Sequence, residues 1–185
     1  FIIESGTAWG VDFTAKYVGL DKRLFVSANY SLSKVDRWDG FKTYAPVFDR
    51  RHNFNVIASY TAGKKKDWDF SVRWNFGSGL PFTQTAGFYQ SPQFTDGVNT
   101  DFVTENSNTV STKLGEINQG RLPVYQRLDI TVKKKFKFKN DMQLDLTLGV
   151  TNVTNQKNVF YINRVTNETI YQLPILPSLG VSFKF

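Results

Sequence analysis

A chain of 185 residues suits one domain, and an aromatic share of 16% beside a mean hydropathy of −0.34 means that apolar and polar residues are interleaved. No run approaches the ~20 consecutive apolar residues that a membrane-spanning helix needs. The lack of Cys excludes disulfides and thiolate metal sites, and the single histidine, His52, leaves zinc clusters and Ser-His-Asp catalysis without their main ingredient. The net charge of +7 would suit nucleic acid, but the basic residues bunch in short turn-like segments at 21–23, 64–66 and 133–135. Periplasmic solvation, or contact with anionic lipid heads, accounts for such isolated basic turns better than a nucleic-acid groove does. The opening "FIIESGTAWG" has neither an initiator Met nor a signal peptide and reads as a chain entered partway along, so a fragment of something longer is expected.

Period-2 alternation then predicts seven strands. In "TAWGVDFTAKYV", Trp9, Val11, Phe13, Ala15 and Tyr17 share one face, and Gly10, Asp12, Thr14 and Lys16 the other. After "GLDKR", the run "LFVSANYSLSK" sets Leu24, Val26, Ala28, Tyr30 and Leu32 against Ser27, Asn29, Ser31 and Ser33. A loop is expected from Val35 to Arg50. "HNFNVIASYT" then places His52, Phe54, Val56, Ala58 and Tyr60 together, with Asn53, Asn55 and Ser59 opposite. Past "AGKKKD", "WDFSVRWNFG" alternates most cleanly, with Trp68, Phe70, Val72, Trp74 and Phe76 against Asp69, Ser71, Arg73 and Asn75. A stretch without regular pattern, about Ser78 to Pro123, leads to a pair of runs over Leu128–Phe138 and Met142–Val150, joined by "KFKND". A second long loop, roughly Val153 to Pro177, precedes "SLGVSFKF", where Leu179, Val181, Phe183 and Phe185 alternate with Gly180, Ser182 and Lys184.

The connections alternate short and long, which puts tight turns at one end and long loops at the other, as in outer-membrane barrels. Most runs are near the ~9–11 residues of a tilted transmembrane strand rather than the ~5–6 of ordinary strands. Aromatics cluster at the run ends: Tyr17, Tyr60, Trp68 and Phe138 near the short turns, and Trp9, Trp74 and Phe76 near the long loops. Such belts mark the two membrane interfaces. The reading is therefore an all-β, antiparallel transmembrane β-barrel fragment whose greasy face meets outer-membrane lipid. Arg127, Asp129, Thr131, Lys133, Asp145 and Thr147 would point into a lumen. Lys134 falls on the greasy face, where a midplane charge would cost ~2–4 kcal/mol, so it is expected to sit low and snorkel toward the turn. Closed single-chain barrels have even strand counts, so seven strands require others upstream. The last strand would run inward to a periplasmic C-terminus.

Four stretches in order carry a family resemblance: "WNFGSGLPFTQTAGFYQ" (Trp74–Gln90), "RLPVYQRLDITVKKKF" (Arg121–Phe136), "LGVTNVTNQKNVFY" (Leu148–Tyr161) and "LPILPSLGVSFKF". Together they resemble the C-terminal barrel of TonB-dependent outer-membrane receptors, in their Bacteroidetes form. The resemblance implies residues 1–185 as about the last seven strands of a 22-stranded barrel in a Gram-negative outer membrane. It further implies an N-terminal plug domain, energy from a TonB complex, import of a scarce ligand bound outside, and a surface lipoprotein as a possible cap. Neither plug nor TonB box lies in these residues. A terminal strand ending on Phe also resembles the signal read by the barrel-assembly machinery, here Val181, Phe183 and Phe185.

Within the long segment, Phe82, Phe88, Tyr89 and Phe94 are the expected contacts to ligand or cap, because rigid aromatics give contact area at low entropic cost. "GSG" at 77–79 lacks a following GK[ST] and reads as a strand end or bend. "DGVNTD" at 96–101 has calcium-like oxygens but lacks the EF-hand spacing and closing Glu. The sequons at Asn29, Asn152 and Asn167 read as chance. Arg73, Arg127 and Asp129 could guide a ligand, although pairing with the plug or one another fits better. No catalytic, cofactor or metal residue is assigned, and no enzymatic activity or nucleic-acid partner is expected. The alternatives are a passive porin-like barrel without energy coupling, an outer-membrane enzyme barrel, for which His52 lies on the wrong face, and a soluble sandwich.

Overall fold

Alternating β-branched or aromatic and polar residues can hide only one side of an extended chain, and the backbone amides must then find partners in neighbouring strands. The structure, a computed structural model, describes residues 5–90, 110–139 and 142–185. In chain order its strands begin with β1 (Ser5–Val18), β2 (Leu24–Trp38), β3 (Thr43–Tyr44), β4 (His52–Ala62) and β5 (Trp68–Gly77). Four short or medium strands follow: β6 (Pro81–Phe82), β7 (Thr85–Gln90), β8 (Val110–Leu114) and β9 (Gly120–Arg121). The remainder are β10 (Tyr125–Lys137), β11 (Gln143–Thr151), β12 (Val159–Ile162), β13 (Thr169–Tyr171) and β14 (Leu176–Lys184). No helix occurs among the described residues.

One antiparallel sheet runs β1-β2-β4-β5-β10-β11-β14, with β3 paired at its margin to β2. Each long strand thus pairs with the next long strand in sequence, as the seven alternating runs predict. The predicted loops are less plain than expected. Val35–Trp38 continues β2, because Ser5–Ala8 of β1 supply its partners. The segment without visible pattern folds into the hairpin β7–β8 and the bridge β6–β9, while the last long loop holds β12–β13. These pieces are too short for alternation to show, and contacts far along the chain create them.

Registers place matching residues in rows across the sheet. Phe13, Tyr30, Phe54 and Phe76 form one row, and Leu24, Tyr60, Phe70, Val132, Leu148 and Leu179 another. Phe54 meets Trp74 edge to face with centroids 5.4 Å apart, a geometry worth about 0.5–1.5 kcal/mol beyond area burial. The opposite face is ionic. Lys133 pairs with Asp145 at 2.8 Å and Lys135 with Asp69 at 2.6 Å, while Thr61 donates to the Asp69 carboxylate at 2.8 Å.

Burial follows an inside-out order. No hydrophobic side chain among the described residues is buried, whereas Asp145 is 7% exposed and Leu148, three residues along the same strand, is 60% exposed. A water-soluble sandwich would cover the aromatic face with a second apolar layer; the described residues provide none.

At the short-turn end, Lys134 behaves as its position on the greasy face demands. Its ammonium ion-pairs with Asp67 in the turn after β4 and lies 4.5 Å from the centroid of the Trp68 ring. The Lys134 hydrogen bond is the chief reason that the Asp67 carboxyl titrates below its ordinary value.

Candidate functional site

The long connections gather at the other end of the sheet, where buried polar groups hold them in place. Asp49, between β3 and β4, is fully buried. Its carboxylate accepts from Arg121 at 2.7 Å, Arg51 at 3.0 Å and the Val35 amide at 2.9 Å. Arg121 also donates to the Gly79 carbonyl at 3.0 Å, so one guanidinium ties three segments. Burial pushes the Asp49 carboxyl up, but the Arg121 hydrogen bond, the Val35 amide and the nearby arginine charges outweigh it and hold the pKa below the ordinary value.

Glycines let these segments touch. A Cβ on Gly79 would lie 1.7 Å from the Leu122 carbonyl oxygen, and one on Gly77 would lie 2.2 Å from the Arg50 guanidinium. Ser78 between them pairs with His52: its amide donates to the His52 carbonyl at 2.9 Å, and its hydroxyl accepts from the His52 amide at 3.0 Å. The "GSG" stretch is thus a strand end, as expected, and the place where backbone crosses backbone.

The asparagines of "TNVTNQKNVFY" have a local structural role. Asn152 and Asn155 adopt positive φ of 54° and 49°, a conformation that asparagine tolerates better than most residues. Asn152 is fully buried; it accepts from the Gln156 amide at 3.0 Å and donates to the carbonyls of Gln156 at 3.0 Å and Leu173 at 3.2 Å. Asn158 acts like a strand partner, accepting from the Gln126 amide at 2.9 Å and donating to the Gln126 carbonyl at 2.8 Å. The Asn152 amide donates to Asp129 at 3.0 Å, and Asp129 also takes Arg127 Nη2 at 2.7 Å. That pairing was expected of the polar-face charges, and it gives Asp129 the task of placing a loop.

Several clefts open among these loops. The largest, about 590 Å³, is lined by Trp38, Phe41, Tyr44, Glu116 and Asn118. Its walls are joined by Lys42 on Glu116 at 2.5 Å and by Asn118 Nδ2 on the Ala45 carbonyl at 2.9 Å. A second, about 480 Å³, lies between Arg127, Thr151, Phe160, Tyr171 and Leu173. A third, about 300 Å³, is lined by Phe82, Thr85, Ile162, Arg164 and Asn167. The cleft between Arg127 and Leu173 is mainly apolar with a few polar groups, the makeup of a small-ligand site, whereas the other two are lined mostly by polar groups.

Of the predicted contacts, Phe82 borders the third cleft. Phe88 and Tyr89 are consecutive on β7 and half exposed, so they point to opposite sides of the β7–β8 hairpin, and neither lines these three clefts. Phe94 and the run 96–101 lie outside the described residues. The cleft aromatics that sequence reasoning missed are Trp38, Phe41, Tyr44, Phe160 and Tyr171; only the "NVFY" stretch carried any signal for one of them. His52 projects from the apolar face and its Nδ1 lies 2.9 Å from the Tyr30 hydroxyl. Among the described residues no cluster of His, Cys, Asp or Glu could hold a metal ion. Compared with known family models, curated proteins and solved structures, the chain matches none.

Proposed function

We propose that this chain is part of the wall of an outer-membrane β-barrel receptor of the TonB-dependent type. Its long-loop end would bind a scarce ligand outside the cell, and import would draw energy from the inner membrane. The observation that carries the reading is the inside-out burial: aromatic rows stand open on one face of a long-stranded antiparallel sheet, while Asp145 and other polar groups are the buried ones. In hydrocarbon an open apolar face is at its lowest free energy, and every strand amide must be paired. The clefts at the long-loop end supply the ligand-facing surface. Upstream strands, a plug and the TonB complex are the partners this reading calls on, with a surface lipoprotein as the cap.

Two measurements test it. Spin labels at Phe70 and Ser71 of the membrane-reconstituted protein should differ, with only the first accessible to a lipid-soluble quencher; equal accessibility would remove the membrane wall. A plugged receptor should give no steady open-pore conductance in a planar bilayer. Steady conductance would favour a passive barrel instead.

A further inference from the structure

Arg50 carries a charge at the long-loop end that the fold leaves without a counter-charge. The residue stands just before β4, and its backbone is held against β2. The Ser33 hydroxyl donates to the Arg50 carbonyl at 2.8 Å, and the Ser33 amide to the Arg51 carbonyl at 3.0 Å. Asp49, next in the chain, is engaged by Arg121 and Arg51. The Arg50 guanidinium makes no ion pair and no hydrogen bond with another described residue. It lies instead over the Tyr125 ring, 5.6 Å from the centroid. Tyr125 pairs with Gly77, and a Cβ on Gly77 would run into the same guanidinium. Arg50 therefore lies on the polar face of the sheet, the side that Tyr125 and Arg127 share by alternation.

A cleft of about 210 Å³ opens there, lined by Arg50, Tyr125, Leu122, Val159 and Phe160. Phe160 and Gln172 also line the 480 Å³ cleft beside Arg127, so the two clefts adjoin. Neither is lined by an aspartate or a glutamate. Arg127 is already neutralised by Asp129 at 2.7 Å, which leaves Arg50 as the uncompensated charge of a largely apolar space.

Water can solvate a guanidinium only while the cleft stands open. A ligand that fills the cleft strips that water, and a cation in apolar surroundings without a counter-charge is costly. The ligand must therefore bring a negative charge of its own, and a single one, because a second would have no partner. The planar fork of a guanidinium matches a carboxylate, which accepts two parallel N–H donors. The rest of the ligand meets aromatic and aliphatic walls.

We infer that the adjoining clefts take a small organic carboxylate with an apolar, ring-bearing body. Its carboxylate would sit on Arg50 and its body against Phe160 and Tyr171. The inference rests on the reading of the long-loop end as the ligand-binding end, and deepens it by naming the chemical class of the ligand.

The test uses the full chain in detergent micelles, with empty micelles as the blank, and calorimetric titration with two probes. One is naphthylacetate, and the other is naphthylacetamide, its neutral counterpart of the same shape. The carboxylate should bind about ten- to a hundredfold more tightly, the range of a hydrogen bond to a charged group. Arg50→Gln should bring the two probes to equal affinity. Arg50→Lys keeps the charge without the fork and should leave a smaller preference. Arg37→Gln removes an arginine that stacks on Phe48 outside both clefts, and should leave the preference unchanged. Phe160→Ala should weaken both probes alike. Protection of the Val35 amide, which donates to Asp49, shows in each variant that the loops remain folded. Equal affinities in the unaltered chain, or a preference that survives Arg50→Gln, would overturn the proposal while leaving the long-loop end as a ligand site. Displacement of naphthylacetate by an equal concentration of inorganic phosphate would reduce the cleft to a simple anion site and overturn it too. No saturable binding of either probe would also overturn it, and the spin labels at Phe70 and Ser71 then show separately whether the membrane wall stands.

Discussion

Arg121 and Asp49 lie 72 residues apart in the chain, yet the Arg121 guanidinium donates to the Asp49 carboxylate at 2.7 Å, and Asp49 is completely buried there. The contact fastens the connection before β4 to the one before β10. Removing Arg121 leaves the buried carboxylate with only Arg51 and the Val35 amide. Arg121→Gln is expected to weaken the local structure by about 1–3 kcal/mol. Faster hydrogen exchange at the Val35 amide, which donates to the same carboxylate, is the readout. The double variant Asp49→Asn with Arg121→Gln should lose less than the sum of the two single changes.

The same carboxyl sets a pH dependence. Its folded pKa is depressed below the ordinary value, so its contribution is complete above the unfolded aspartate pKa of about 3.9 and disappears as the pH falls through the lower folded value. Val35 amide protection, corrected for intrinsic exchange, should therefore stay level from neutral pH to about 5 and decline only in stronger acid. A decline centred near pH 6 would mean that another group controls the latch.

Gly77 and Gly79 are two residues apart and should respond differently to alanine. At Gly77 the new Cβ meets the far end of the flexible Arg50 side chain, which can swing away. At Gly79 it meets the Leu122 carbonyl, which belongs to the backbone and cannot. Gly79→Ala is expected to cost about 1–3 kcal/mol or more, and Gly77→Ala clearly less. Urea midpoints of the two variants in the same micelles check the order.

Asn152 combines a left-handed backbone with three side-chain hydrogen bonds. Asn152→Gly keeps the backbone free and loses the bonds, at about 1–3 kcal/mol. Asn152→Ala loses both and should cost about 1–2 kcal/mol more. Exchange at the Gln156 amide, whose acceptor is the Asn152 side chain, should rise in that order.

Phe185 stacks on Phe183 with centroids 6.2 Å apart and is fully exposed. If the terminal strand directs barrel assembly, deleting Phe185 should lower outer-membrane abundance severalfold and leave binding per assembled receptor unchanged. Normal abundance with lost binding would place Phe185 at the ligand site and reverse the orientation proposed for the sheet.

What the sequence determined by itself was the set of long strands and the side each residue takes, as in Trp68 to Phe76 against Asp69 to Asn75. That pattern is local: a pleated strand turns each successive side chain over, so facing can be counted along the chain. Lys134 could be placed for the same reason, because a charge on a greasy face must reach for the nearest polar group. Only the tertiary structure decided the rest. Phe88 and Tyr89 were expected to contact ligand or cap, and it took the β7–β8 hairpin to set them on opposite sides, just as it took the fold to bring Phe160 and Tyr171 to one cleft. Asp49 gave no sign of being buried, and Asn152 read as a chance sequon. A buried charge or a left-handed asparagine is tolerated only when specific donors and acceptors surround it, and here those come from loops brought together by strand pairing far along the chain.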